Sequence, residues 1–262
     1  MITLKSKREL VAMEKSGAII AGMHQGMKKL IKPGLSTWEI EEFGRQYIES
    51  HGGRAAQIGF EGFKYATTVS VNDEVAHAFP RKGLILKDGD LVKVDTVVEL
   101  DGAYSDSAWS YAVGNVSPEV QKLMDVTLEA LYIGIDQAQV GNRLGDIGAA
   151  INHFVEDEHG YGNVRDYIGH GIGPTMHEEP AVPHYGVAGR GLRLKPGMTI
   201  TIEPMVNMGG FEVETSKEDG WTVRTIDGSW SAQYEHVVAI TEDGPKILTS
   251  QDPIFDAKYL LK

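Results

Sequence analysis

Apolar side chains recur at helical spacing over residues 6–32, where Leu10, Met13, Gly17, Ile20, Met27 and Leu30 share one face, and the pattern stops at Pro33-Gly34. Ser36-Thr37-Trp38-Glu39 then reads as a helix start: Ser36 can cap the first turn and Glu39 can reach back to the cap. This second helix is predicted to run to about His51-Gly52. Ser117-Pro118-Glu119 opens a third, with proline at the first helical position, where its missing N–H costs nothing, and Gly141 is its predicted stop. A fourth is predicted from about Leu144 to His159-Gly160. The remaining segments alternate or carry Gly and Pro, so they read as strands and connections.

The pattern also repeats. Lys87-Asp88-Gly89-Asp90-Leu91-Val92-Lys93-Val94-Asp95 is echoed without a gap by Lys195-Pro196-Gly197-Met198-Thr199-Ile200-Thr201-Ile202-Glu203, and each copy ends on a carboxylate. Gly34 to Ile40 is likewise echoed by Gly141 to Ile147, and the offsets, 108 residues for the strands and 107 for the helices, agree. Two copies this far apart do not suggest a solenoid. They predict one domain over residues 1–262 made of two similar αβ halves, roughly 1–115 and 116–262, around a central site. The fold class is α+β.

Alternation then places the acids. Val92 and Val94 point to one face of their strand and Lys93 and Asp95 to the other; Ile200 and Ile202 stand opposite Thr201 and Glu203 in the same way. Each strand is expected to bury its aliphatic face under helices and turn its acidic end inward. Asp101-Gly102 between alternating runs is a hairpin signal. With those two residues as the turn, Asp106 sits opposite Val97, on the face of Asp95 and diagonal to it, roughly 7–8 Å away at Cα. The ordinary alternative is a pair of surface aspartates.

Composition changes this picture only at the margins. Apolar residues at 42% and charged residues at 24% suit a globular domain with a sizeable core. A formal charge of -12 argues against DNA or another nucleic acid as the main partner, because duplex binding needs phosphate-neutralising Lys and Arg. Residues 1–34 nevertheless carry seven basic side chains (Lys5, Lys7, Arg8, Lys15, Lys28, Lys29 and Lys32). They read as the solvated face of an amphipathic helix, with a ribosomal RNA contact as the alternative. The chain has no cysteine, which excludes disulfides and thiolate metal sites. No apolar run reaches signal-peptide or membrane-spanning length, so a soluble, cytoplasmic protein is expected.

Three further acids and imidazoles join the aspartates. His170 lies in Gly169-His170-Gly171-Ile172-Gly173, where flanking glycines let backbone and ligands approach closely. Glu203 ends its strand, and Glu235 in Gln233-Tyr234-Glu235-His236 is read as one face of another. Singly each is unremarkable, since a lone histidine is more often a satisfied structural residue than a ligand. Together, Asp95, Asp106, the His-Gly-Ile-Gly stretch, Thr201-Ile202-Glu203-Pro204 and Gln233-Tyr234-Glu235-His236 resemble the signature of type I methionine aminopeptidases over nearly the whole chain.

The resemblance implies the pita-bread fold, with a curved, mostly antiparallel sheet covered by helices, and a two-metal hydrolase that removes the initiator methionine of nascent polypeptides once it is deformylated and when the second residue is small. It implies that Asp95 chelates one ion, that Asp106 and Glu235 bridge both, and that His170 and Glu203 complete the second. An oxygen-rich set of this kind suits Mn, Fe or Co, with Zn also admissible. By resemblance a hydroxide between metals roughly 3.5–4 Å apart attacks the substrate carbonyl. His177 would contact that carbonyl, His77 the scissile amide, and Glu203 would relay protons. On the residues alone, His77 reads equally as a hydrogen-bonded loop histidine. Phe60, Phe63, Thr68, Met176 and Trp221, with His77, resemble the methionine side-chain pocket. Phenylalanines stand where many relatives carry tyrosine, and Thr68 and Met176 where cysteine and phenylalanine are frequent; the pocket stays apolar. The chain begins at the first helix without a zinc-binding extension, and only 32 residues separate Glu203 from Glu235, so the compact, monomeric form is expected. A prolidase or Xaa-Pro aminopeptidase, which usually carries an additional N-terminal domain, is the runner-up, followed by a binding protein on the same fold.

Overall fold

Helix α1 (Lys7–Leu30) begins on a capping box in which Ser6 receives the Glu9 N–H and Glu9 receives that of Ser6, and α2 (Thr37–Ser50) repeats it with Ser36 and Glu39, as predicted. The structure, a computed structural model, describes residues 2–260. Helix α3 (Pro118–Asp136) starts at Ser117 with proline in its first turn and ends short of Gly141, the predicted stop. The fourth predicted helix divides: α4 (Leu144–Asn152) gives way to a π-helical turn at His153–Glu158. Helix α5 (Pro253–Leu260) was not legible in the pattern.

Every strand pairing among the described residues is antiparallel. Leu91–Leu100 is flanked by Ala103–Ala112 on one side and by Thr68–Val71 and Arg54–Ala55 on the other. A five-stranded sheet runs Gly244–Ile247, His236–Thr241, Thr199–Ile202, Gly169–Gly171, Glu178–Val182. Two smaller sheets, one of them containing Ser231–Gln233 and Met205–Asn207, complete the set.

Each large sheet buries its aliphatic face under its own helix pair. Val92, Val94 and Val98 pack with Ile20, Met23 and Met27 of α1 and Ile40 and Ile48 of α2. Ile200, Ile202 and Val238 pack with Leu123, Leu131 and Ile135 of α3 and Ile147 and Ile151 of α4. At roughly 1.5–3 kcal/mol for each such side chain removed from water, these two layers dominate the folding energy. Corresponding turns make corresponding bonds. The Gly34 N–H donates to the Leu86 carbonyl (2.8 Å) and the Gly141 N–H to that of Leu194 (3.2 Å). Thr37 bonds Leu84, and Leu144 bonds Leu192, each at 3.0 Å. Both glycines hold positive φ, 91° and 94°, a conformation that a side chain would strain.

The layers meet along Ala103–Ala112. Trp109 touches both cores and lies edge-on to Tyr234 (4.8 Å between ring centroids). The Glu235 N–H donates to the Ala108 carbonyl (2.9 Å), and the Ser107 hydroxyl donates to the Glu235 carbonyl (2.9 Å). One expectation for α1 fails. Lys5, read with the solvated basic face, precedes the helix, is 7% exposed and pairs with Glu178; the other six basic side chains are exposed.

Candidate metal centre

Asp95 and Asp106 reach the site from the hairpin. Its turn at Asp101-Gly102 sets Val97 opposite Asp106 and Asp95 opposite Ala108, the register read from the sequence. Thr68 is the partner of Asp95 on the neighbouring strand. His170 comes from the second large sheet, where its glycines are needed: a Cβ on Gly169 would lie 2.5 Å from the Thr201 carbonyl oxygen, and one on Gly171 2.3 Å from that of Glu179. Glu203 follows Thr199–Ile202 directly. Glu235 lies not within a strand, as expected, but at the break between Ser231–Gln233 and His236–Thr241. That break turns the chain from one sheet into the next and carries the carboxylate toward the aspartates.

The five side chains line one cavity of about 560 Å³. Ligand atoms of Asp106, His170 and Glu235 lie within 4.8 Å of one another. His170 Nε2 is 3.7 Å from Asp106 Oδ2 and 3.8 Å from Glu203 Oε1. Its Nδ1 lies 2.8 Å from the Gly171 carbonyl oxygen, which assigns the proton to Nδ1 and leaves the Nε2 lone pair facing the acids. Thr201 Oγ1 accepts the His170 N–H (2.9 Å) and donates to Glu203 Oε1 (2.6 Å), while His184 Nε2 accepts the Glu203 N–H (3.0 Å). Thr201 and His184 were missed in the sequence. Thr201 reads there as one more inward position, and His184 as a histidine in a proline-containing loop.

Burial drives the electrostatics. It raises Asp95 to about 7 and Glu203 to about 8, and it pushes Asp106 and Glu235 well above the carboxylate range, where for these last two the charges of neighbouring acids add to the rise. Burial likewise lowers His170 to about 4, helped by His177. Asp95 Oδ1, Asp106 Oδ1 and Glu235 Oε1 are buried and make no hydrogen bond among the described residues. Clustered acids with unpaired inner oxygens favour positive charge between them, and one neutral imidazole completes a hard donor set. The residues fit divalent cations.

The opposite wall is aromatic. Phe63, 3% exposed, meets Trp221 edge-on at 5.0 Å and Phe79 at 5.4 Å. Met176 is buried against Ala56 and Val97. Phe60 also borders the cavity but is 38% exposed, and it leans on His177 at 5.1 Å. The His177 ring lies edge-on to that of His170 at 4.4 Å. His77 sits at φ +58° with its ring edge-on to Tyr167 at 5.2 Å, and Tyr167 also has φ +58°. Such left-handed conformations cost energy in non-glycine residues and concentrate at functional sites. Burial lowers His77 to about 4, with His177 second, and burial also lowers His177. All twelve residues singled out in the sequence border this cavity. Tyr167, which also borders the cavity, was missed in the sequence, because a backbone strain of this kind leaves no mark on residue order.

Comparison with known proteins points the same way. A family model described as metallopeptidase family M24 matches residues 11–242. Methionine aminopeptidase 1 of Bacillus subtilis (strain 168) is 46% identical over 249 residues, covering 95% of this chain and 99% of that one. The crystal structure of methionine aminopeptidase from Rickettsia prowazekii superposes with a TM-score of 0.93 at 39% identity, covering 95% of this chain and all of that one. Prolidase from Pyrococcus furiosus superposes at 0.77 with 23% identity over 66% of its length, a likeness of fold alone.

Proposed function

The chain belongs to metallopeptidase family M24 and is an enzyme of the methionine aminopeptidase type, and we propose that it removes the initiator methionine from nascent chains whose second residue is small and whose first is deformylated. The observation that carries this reading is one cavity with an acidic, imidazole-containing wall facing an apolar wall of Phe63, Met176 and Trp221. We assign two divalent cations, Mn, Fe, Co or Zn, to the site, where Asp95, Asp106, His170, Glu203 and Glu235 would hold them. Bound there, such ions acidify water and polarise a carbonyl.

The chain's own groups do the rest. The substrate's free α-amine would bind beside the metal centre, and a formyl group would block it. Phe63, Met176 and Trp221 offer an apolar slot for an unbranched thioether, a flexible group that fills irregular space. His177, beside His170 and held neutral by burial, is placed to hydrogen-bond the oxygen where charge develops. His77, neutral for the same reason, faces the scissile amide, and the two histidines crowd the residue after it. Glu203, fixed by Thr201, is placed to pass a proton to the leaving amine. The corresponding bonds of the Gly34 and Gly141 turns support an origin of halves 1–115 and 116–262 by duplication.

The test is kcat/KM on Met-Ala-Ser, Leu-Ala-Ser, formyl-Met-Ala-Ser, Met-Lys-Ser and Ala-Pro with the metal site filled. Met-Ala-Ser is expected to lead clearly, with formyl-Met-Ala-Ser and Met-Lys-Ser close to inert. Faster turnover of Ala-Pro would replace the reading with a proline-directed peptidase.

A further inference from the structure

Lys5 is a lysine withdrawn from water, and the acid it pairs with is far from it in sequence. Its ammonium side chain is 3% exposed and lies 2.7 Å from Glu178 Oε2, 173 residues away. The same oxygen accepts the Thr3 hydroxyl at 2.8 Å, and Glu178 Oε1 accepts the Thr175 N–H at 3.3 Å. Glu178 thus gathers two donors from the N-terminal segment and, with the Thr175 hydroxyl at 3.2 Å from the same Oε1, two from the loop that carries His177. The Lys5 N–H in turn donates to the Gly197 carbonyl (2.7 Å), just ahead of the strand that leads to Glu203. The loop lies close against Lys5: a Cβ on Gly173 would lie 2.2 Å from Lys5 Cε and 2.8 Å from its Nζ, so a side chain there would push the ammonium off Glu178.

We propose that residues 3–5 form a strap that positions His177, with the Lys5–Glu178 pair as its clasp. The pair sits one residue from an imidazole whose ring must stay against His170 to meet the substrate carbonyl, and the proposal rests on that assignment of His177. A buried ion pair contributes little net stability against an apolar replacement, but it fixes geometry because each charge tolerates only a narrow placement of the other. Lys5 and Glu178 are therefore positioning residues, acting through His177 rather than on the substrate.

A double-mutant cycle on the metal-loaded enzyme with Met-Ala-Ser tests this, with metal content and Tm measured on every variant. Lys5→Met is expected to lower kcat about tenfold, with KM and metal content nearly unchanged, and Lys5→Arg to restore most of the loss. In a His177→Ala background, Lys5→Met should change kcat by less than about twofold, because the group it positions is gone. Equal losses in both backgrounds, or no loss in either, overturn the strap while leaving the assignment of His177 intact. A His177→Ala variant with full kcat overturns both. Should Lys5→Met lose the fold, Glu178→Gln keeps the shape, removes the charge and is read through the same cycle.

Discussion

Asp95 and Asp106 stand on ten-residue strands paired along their whole length, and Glu203 and His170 on or beside strands bonded to one another, whereas Phe60, Phe63, His77, Met176, His177 and Trp221 all stand outside regular strands. Glu235 at its strand break and Thr68 on its strand aside, one wall of the cavity is therefore sheet and the other loop. Ladder hydrogen bonds hold the acids together although their mutual repulsion and burial oppose it, a placement loops would relax. The loop wall has no such cost to resist and is free to set which side chain enters. The difference predicts that substitutions on the two walls fail in different ways.

The largest effect is expected on the sheet wall. Asp106→Ala removes the carboxylate whose Oδ2 lies 3.7 Å from His170 Nε2 at the middle of the ligand cluster. Bound metal should fall for both ions together and activity should drop below detection, without rescue by added metal. Metal analysis and turnover on one preparation check this; a variant with full activity removes Asp106 from the centre. His77→Ala, on the loop wall, should retain both metals and lose kcat by roughly 10²-fold, the scale of losing a positioned catalytic hydrogen-bonding group. Metal loss from that variant would erase the distinction between the walls.

The same contrast governs what could be read from residue order. The sheet wall was legible because period-two alternation and one Asp-Gly turn fix a register over twenty residues, and register fixes which acids share a face. Helix starts were legible because Ser36 and Glu39 satisfy backbone groups three residues apart, a purely local matter. Lys5 was misread because a lysine beside a helix start is ordinarily solvated, and its burial depends on Glu178, which only the fold brings near. Glu235 was placed in a strand because alternation continues through Tyr234 and His236. Its break from pairing comes from the change of sheet, which is a tertiary fact. Helix α5 has a stripe too weak to announce itself, with Ile254 left 75% exposed.

The smallest effect separates two phenylalanines that look equivalent in Gly59-Phe60-Glu61-Gly62-Phe63. Only the backbone between them tells them apart: Gly59, Glu61 and Gly62 all take positive φ, which turns Phe60 outward and Phe63 inward. Phe63, 3% exposed and ringed by Tyr65, Phe79 and Trp221, is core as much as pocket. Phe63→Ala should therefore cost about 3–5 kcal/mol of stability, the usual toll of a buried aromatic truncation. Phe60 is 38% exposed, and its one close aromatic partner among the described residues is the tilted His177 ring. An aromatic contact of this kind is worth about 0.5–1.5 kcal/mol. Phe60→Ala should leave Tm nearly unchanged and lower kcat/KM on Met-Ala-Ser by roughly 2- to 10-fold, the same energy expressed as a ratio. Melting curves and kcat/KM for the two variants side by side make the measurement. Should Phe60→Ala melt as low as Phe63→Ala, the loop wall is core after all, and the contrast with the sheet wall loses its physical basis.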